Sequence, residues 1–113
     1  MKIYGIKNCD TMKKAFTYLD SKGVEYDFHD YKKQAPEAAW LTDLVEKYGV
    51  DTVINKKGIT WKKLEPEVQK KATTTKGAVA LMIQSPSMIK RPIVIQGKKV
   101  IFGFDEEEWD KSI

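Results

Sequence analysis

The sequence predicts an α/β fold on a mixed four-stranded sheet, with elements in the order β-α-β, helical insert, β-β-α. Three observations predict it. A short apolar run, Ile3-Tyr4-Gly5-Ile6, passes through a polar loop into a stretch where Met12, Ala15, Phe16 and Leu19 keep the i, i+3, i+4, i+7 spacing of one helical face. Val24 to His29 then alternates apolar and polar residues with period two, as a half-buried strand does. Near the end, Ile93-Val94-Ile95 and Val100-Ile101-Phe102 flank Gln96-Gly97-Lys98-Lys99, a glycine-centred turn that joins antiparallel strands.

The first strand runs from Lys2 to Gly5 or Ile6 and the first helix from about Asp10 to Lys22, with Gly23 at the C′ position where a left-handed conformation is needed. The strand after it is predicted parallel to the first through a right-handed crossover. Pro36-Glu37-Ala38-Ala39 opens a second helix that puts Trp40, Leu41, Leu44, Val45 and Tyr48 on one face and stops at Gly49. Val50 to Ile54 reads as one helical turn and Asn55-Lys56-Lys57-Gly58 as a turn. Trp61 to Leu64 and Glu65 to Lys71 read as short helical pieces, the latter with Pro66 in its first turn. Gly77 precedes a more buried helix, Ala78 to Gln84, which ends before Ser85-Pro86. Pro92 cannot donate to a ladder, so it stands at the start of the third strand. Gly103 ends the fourth, and Asp105 to Lys111 forms a terminal helix with acids in its first turn, as the helix dipole prefers. The order is a thioredoxin-like layout: one domain over residues 1–113, with a helical insertion at about 36–86.

A chain of 113 residues supplies one core but not two. Its composition, 42% apolar and 32% charged, is that of a soluble protein. No apolar run approaches the ~18 residues of a membrane span, and the N-terminal stretch lacks a signal-peptide core, so no membrane association is expected and a cytoplasmic location is. A single cysteine excludes an internal disulfide and suits a reducing compartment. Any disulfide chemistry must take its second sulfur from another molecule. The net charge of +4 is spread as lysine pairs that alternate with acids. No basic block is interleaved with aromatics, and direct nucleic-acid binding is not expected. The one histidine, His29, reads as a surface residue at a strand end with no second ligand type beside it, so no metal site is predicted.

The chemistry concentrates in Lys7-Asn8-Cys9-Asp10-Thr11-Met12-Lys13-Lys14-Ala15. A strand turning directly into a helix leaves Cys9 at or just before the helix N-terminus, where unpaired N–H groups converge and the dipole presents about half a positive charge. A thiolate is favoured there, and thiols so placed fall roughly one to several units below about 8.5. Lys7 and Lys13 or Lys14 add to the effect if they reach the sulfur, and Asp10 opposes it if it points there. Set against this, a lone cysteine is most often a small buried hydrophobe. The second half of the site is Lys90-Arg91-Pro92-Ile93. In the expected fold the loop before the third strand lies beside the end of the first, so that Arg91 and Pro92 face Cys9. Arg91 is the only arginine in a chain that otherwise uses lysine, which points to its planar, bidentate donor geometry. The alternative is an exposed arginine before a strand-capping proline.

Tyr4-Gly5-Ile6-Lys7-Asn8-Cys9-Asp10-Thr11, the segment His29-Asp30-Tyr31, and Arg91-Pro92-Ile93 after a helical insert together resemble the arsenate reductase–like (ArsC) family of thioredoxin folds, nearest its YffB-like branch, with Spx-type regulators as more distant relatives. The resemblance covers essentially the whole chain. It implies that Cys9 is the redox-active thiol, Arg91 an anion-binding arginine and Pro92 a cis proline beside the active site. The chain also departs from the family. Arsenate reductases of this type carry a histidine where this chain has Gly5, and two further arginines that by position fall near Asn55 and Gly103. One arginine in place of three argues against tight arsenate binding. Spx-type regulators commonly carry a C-x-x-C switch, whereas the fourth position here is Met12, which excludes an internal disulfide switch.

The resemblance therefore implies a monothiol enzyme: Cys9 attacks a small-molecule or protein disulfide, and glutathione, a co-substrate rather than a bound cofactor, or a glutaredoxin-like protein resolves the product. Arg91 and Lys7 would hold a carboxylate, and Asn8, Thr11 and the backbone near Pro92 would orient the substrate. The alternatives are arsenate reduction by the same cysteine, and an Spx-like module that docks on RNA polymerase with Cys9 incidental.

Overall fold

The computed structural model describes residues 1–113 and divides them into two compact units, Met1–Lys33 with Arg91–Ile113, and Gln34–Lys90. In the first unit, strands β1 (Lys2–Gly5), β2 (Asp27–Asp30), β3 (Ile93–Gln96) and β4 (Lys99–Phe102) form one sheet in the order β2-β1-β3-β4. β1 runs parallel to β2 and antiparallel to β3, and β3 antiparallel to β4, so the sheet is mixed as expected. β2 is shorter than the Val24–His29 alternation suggested. Its ladder begins where Asp27 meets Lys2, and Val24 is used instead to close the preceding helix.

That helix, α1 (Asp10–Ser21), ends in the two bonds of a Schellman motif: Val24 N–H to Leu19 O at 3.0 Å and Gly23 N–H to Asp20 O at 3.2 Å. Gly23 has φ 67°, the left-handed conformation that makes glycine the natural residue there. Met12, Ala15 and Leu19 are buried, as the spacing requires, and join Ile3, Val94 and Trp109 in one core. Tyr18, off the predicted stripe, is buried too, because the terminal helix α7 (Glu106–Ser112) supplies it with partners. Its ring meets Trp109 edge-on at 5.5 Å, and its hydroxyl donates to Asp110 at 2.5 Å. That hydrogen bond, followed by burial and the charges of Asp110 and Glu106, pushes the phenol up to about 12. α7 itself starts at Asp105, whose carboxylate accepts the N–H groups of Glu107 and Glu108.

The second unit is helical: α2 (Ala38–Tyr48), α3 (Val50–Val53), α4 (Ile59–Lys62), α5 (Pro66–Gln69) and α6 (Thr75–Gln84), with 3-10 turns at Lys70–Thr73 and Pro86–Met88. α2 packs on α6, burying Leu41, Leu44 and Val45 on one side and Ala78, Val79, Leu81 and Met82 on the other. α6 begins earlier than the apolar run suggested. Thr74 caps it by accepting the Gly77 N–H at 3.1 Å, so Gly77 lies inside the first turn rather than before it. No helix of the molecule is long and apolar enough to cross a membrane.

Candidate functional site

β1 points into the Ile6–Asn8 loop, and the chain enters α1 at once, so Cys9 becomes the N-cap residue of that helix. Its backbone is extended (φ −116°, ψ 135°), and its carbonyl accepts the Lys13 N–H at 2.9 Å, the first bond of the helix. β3 brings in the other half. Tyr4 pairs with Ile93 across the antiparallel ladder, so the residues just before Ile93 lie beside those just after Tyr4. The Arg91–Pro92 peptide is cis, and the Pro92 carbonyl is held by the Gly103 N–H at 2.8 Å.

Cys9 is a free, half-buried thiol. Burial pushes it up, but four influences outweigh that: the Met12 N–H, a hydrogen bond from the Arg91 side chain, the Thr11 N–H, and the charge of Arg91. The net effect lowers the thiol below its ordinary value. No amide completes a capping hydrogen bond to the sulfur in its present geometry, yet those of Met12 and Thr11 stand close enough to favour the anion. Lys7, Lys13, Lys14 and Asp10 are not among the groups that act on it. All four are exposed, where water screens their charges. The conditional contributions of the flanking lysines and of Asp10 are thus replaced by one arginine and two amides.

Of the site residues named from the sequence, Cys9, Arg91 and Thr11 come together electrostatically, Thr11 through its amide, and Pro92 is buried next to Arg91. Lys7 and Asn8 sit on the exposed loop before Cys9. Tyr31, the last residue of the His29-Asp30-Tyr31 segment, also belongs to these surroundings. It is buried, its amide donates to the Gly5 carbonyl at 2.8 Å, and burial first, then Tyr4, drives its phenol strongly up while Arg91 pulls it down. A neutral hydroxyl therefore lies within the field of Arg91. Tyr4 stacks on Tyr31 at 6.5 Å and on His29 at 4.7 Å, which gives the histidine an aromatic neighbour at the strand end. The signal for this cluster was the period of two: Tyr4 and His29 are register partners on the sheet face opposite Ile3 and Phe28.

The departures from an arsenate site have local causes. A Cβ on Gly5 would lie 2.5 Å from the sulfur of fully buried Met12, so a side chain there must displace Met12. Gly103 has φ 79°, which an arginine adopts only with strain. The Asn55 side chain closes its own turn by accepting the Lys57 N–H at 3.3 Å. No group of three or more His, Cys, Asp or Glu side chains is placed to hold a metal ion.

A family model described as the ArsC family matches residues 4–112. A solved structure of a YffB protein is 40% identical and superposes with a TM-score of 0.88, covering 97% of this chain and 96% of its own. A protein of Haemophilus influenzae is 37% identical over 110 residues, 97% of this chain and 96% of that one. The global transcriptional regulator Spx of Streptococcus pneumoniae is 27% identical over 104 residues, 89% of this chain and 76% of the regulator. The family match runs through the first strand, the capping cysteine and the arginine–cis-proline loop alike, and the chain belongs to the ArsC family.

Proposed function

We propose that this protein is a monothiol thiol–disulfide oxidoreductase with glutathione as its reductant. The observation that carries this is a cysteine at a helix N-cap whose thiolate is favoured by the Arg91 guanidinium and two amides, in a chain with no second cysteine. Deprotonated Cys9 attacks one sulfur of a substrate disulfide. The S–S bond breaks, Cys9 forms a new one with that half, and the other half leaves as a thiolate that takes a proton from water. A glutathione thiolate, or that of a glutaredoxin-like protein, then attacks the substrate sulfur and releases Cys9. A second glutathione exchanges with the product, so two glutathiones lose the two electrons that the substrate disulfide gains. Arg91 and Lys7 hold a carboxylate of the incoming partner, and Asn8, Thr11 and the backbone beside Pro92 orient it. Arsenate turnover is expected to be weak, because one guanidinium stands where the resemblance calls for three.

The test combines Cys9 alkylation as a function of pH with turnover of hydroxyethyl disulfide by glutathione. A reactive thiol with an apparent pKa below about 8.5, and loss of turnover in Cys9→Ser, are expected. Full turnover by Cys9→Ser would sink the proposal. Similarity to Spx supports one further reading, a regulator that docks on RNA polymerase. Capture of polymerase that survives Cys9→Ala, in a protein without thiol turnover, would favour that reading instead.

A further inference from the structure

We infer, building on the oxidoreductase reading, that Cys9 acts on disulfides in which one thiol carries an aromatic ring with a neighbouring carboxylate, and that this group is seated in a cleft beside the Cys9 loop. The cleft encloses about 370 Å³ and is lined by Lys7, Asn8, Lys13, Phe16, Tyr26 and Phe28. That volume lies in the range of small-ligand sites, roughly 300–1,000 Å³. Its wall is three rings, with Phe16 in contact with the other two: it lies nearly parallel to Tyr26 with centroids 5.6 Å apart, and meets Phe28 edge-on at 5.0 Å. All three are only half-buried, so ring surface remains open to a ligand. Tyr26 turns its hydroxyl to Asp20 at 3.3 Å, which satisfies its polar tip on a residue outside the cleft.

Charge selects the rest of the ligand. Lys7 and Lys13 are the charged residues of the lining; neither is held in an ion pair, and no acid joins them. An anion alone would gain little from two exposed lysines. A ring alone would cover their stems and leave the ammonium groups without a counter-charge. A ring with a carboxylate close by answers both, stacking on the aromatic wall while its anion reaches the rim. The cleft is also placed for chemistry at the sulfur. Asn8, which lines it, is the residue before Cys9, and Lys13, also in the lining, donates its N–H to the Cys9 carbonyl, so the cleft borders the backbone that carries the thiol.

Three peptide disulfides with the same kind of attacked sulfur test this: cysteinyl-phenylalanine, its C-terminal amide, and cysteinyl-glycine. The rate at low substrate is expected to be about ten-fold higher for cysteinyl-phenylalanine than for cysteinyl-glycine, with the amide between them. Lys13→Gln should remove the advantage of the acid over the amide, and Tyr26→Ser most of the advantage of the ring. Lys13 is an exposed helical position where glutamine is equally well tolerated, so a folding defect does not intervene. Equal rates for all three peptides, or a preference that survives both substitutions, would overturn the inference. A chemical-shift titration of Cys9→Ser with N-acetylphenylalanine separates the two levels of the argument. Saturable shifts at the cleft residues, together with no turnover of any disulfide by the native protein, would overturn the oxidoreductase reading and leave the ligand class standing. Absence of binding would overturn the ligand class whatever the turnover.

Discussion

Arg91 is distant from Cys9 along the chain, yet it contributes both a hydrogen bond and a full charge to the sulfur. Arg91→Gln is therefore expected to raise the Cys9 pKa and slow alkylation near neutral pH several-fold, with Arg91→Lys between it and the native protein, because lysine keeps the charge but not the fork of donors. A pH–alkylation profile of the three proteins checks the order. The same shift has a sign for stability. The folded thiol sits below its unfolded value, so the unfolded chain holds more protons between the two and stability rises with pH through that window. The contribution is complete above about 8.5, the unfolded value, and is lost as pH falls through the lowered folded value. Arg91→Gln should narrow the window. The N-cap position of Cys9 was legible from a strand running into an apolar helical stripe. That the lowering of the Cys9 thiol comes from Arg91 and two amides and not from the flanking lysines was not, because whether a flexible side chain reaches a sulfur or stays in water depends on geometry that adjacency in sequence does not specify.

Helix starts and stops show how local chemistry and tertiary packing divide the work. The α1 terminus at Gly23 and the α7 start at Asp105 were both readable, since a left-handed glycine and an N-cap carboxylate act through bonds to residues two to five positions away. α6 starts earlier than the apolar run from Ala78 suggests, because the Thr74 cap adds a first turn that contains Gly77. In an exposed helix, Gly→Ala is stabilising by about 1 kcal/mol. At Gly77 the sign is expected to reverse: a Cβ there would overlap the backbone carbonyl of Lys71, which belongs to the preceding 3-10 turn and cannot swing away like a side chain. Gly77→Ala should lose about 1–3 kcal/mol in urea unfolding, as overpacked sites do. A neutral or stabilising result would mean that the Lys70–Thr73 turn yields readily.

At the scale of the molecule, the unit that carries Cys9 closes its core with a residue from the chain's last helix. Trp109 is fully buried, meets Tyr18 and Phe104 edge-on at 5.5 and 4.8 Å, and donates its indole N–H to the Gly103 carbonyl at 3.1 Å. Trp109→Ala should destabilise the protein by about 3–5 kcal/mol, read from the denaturation midpoint. Trp109→Phe should recover much of that while leaving the Gly103 carbonyl without its donor. A loss under about 1 kcal/mol for the alanine variant would mean that α7 is not part of the cooperative core.

The sequence by itself determined the element order, the parallel and antiparallel pairings, the turn glycines and the candidate nucleophile, because periodicity, caps and tight turns act over a few residues. Family membership was legible too, from motifs at both ends of the chain. Only the tertiary structure decided which charge reaches Cys9, that Tyr31 is buried within the field of Arg91, that Gly5 makes room for Met12, and that Phe16, Tyr26 and Phe28 wall a cleft beside the cysteine loop. Those facts depend on side chains brought together by strand register and helix packing, and distance along the chain carries no record of them.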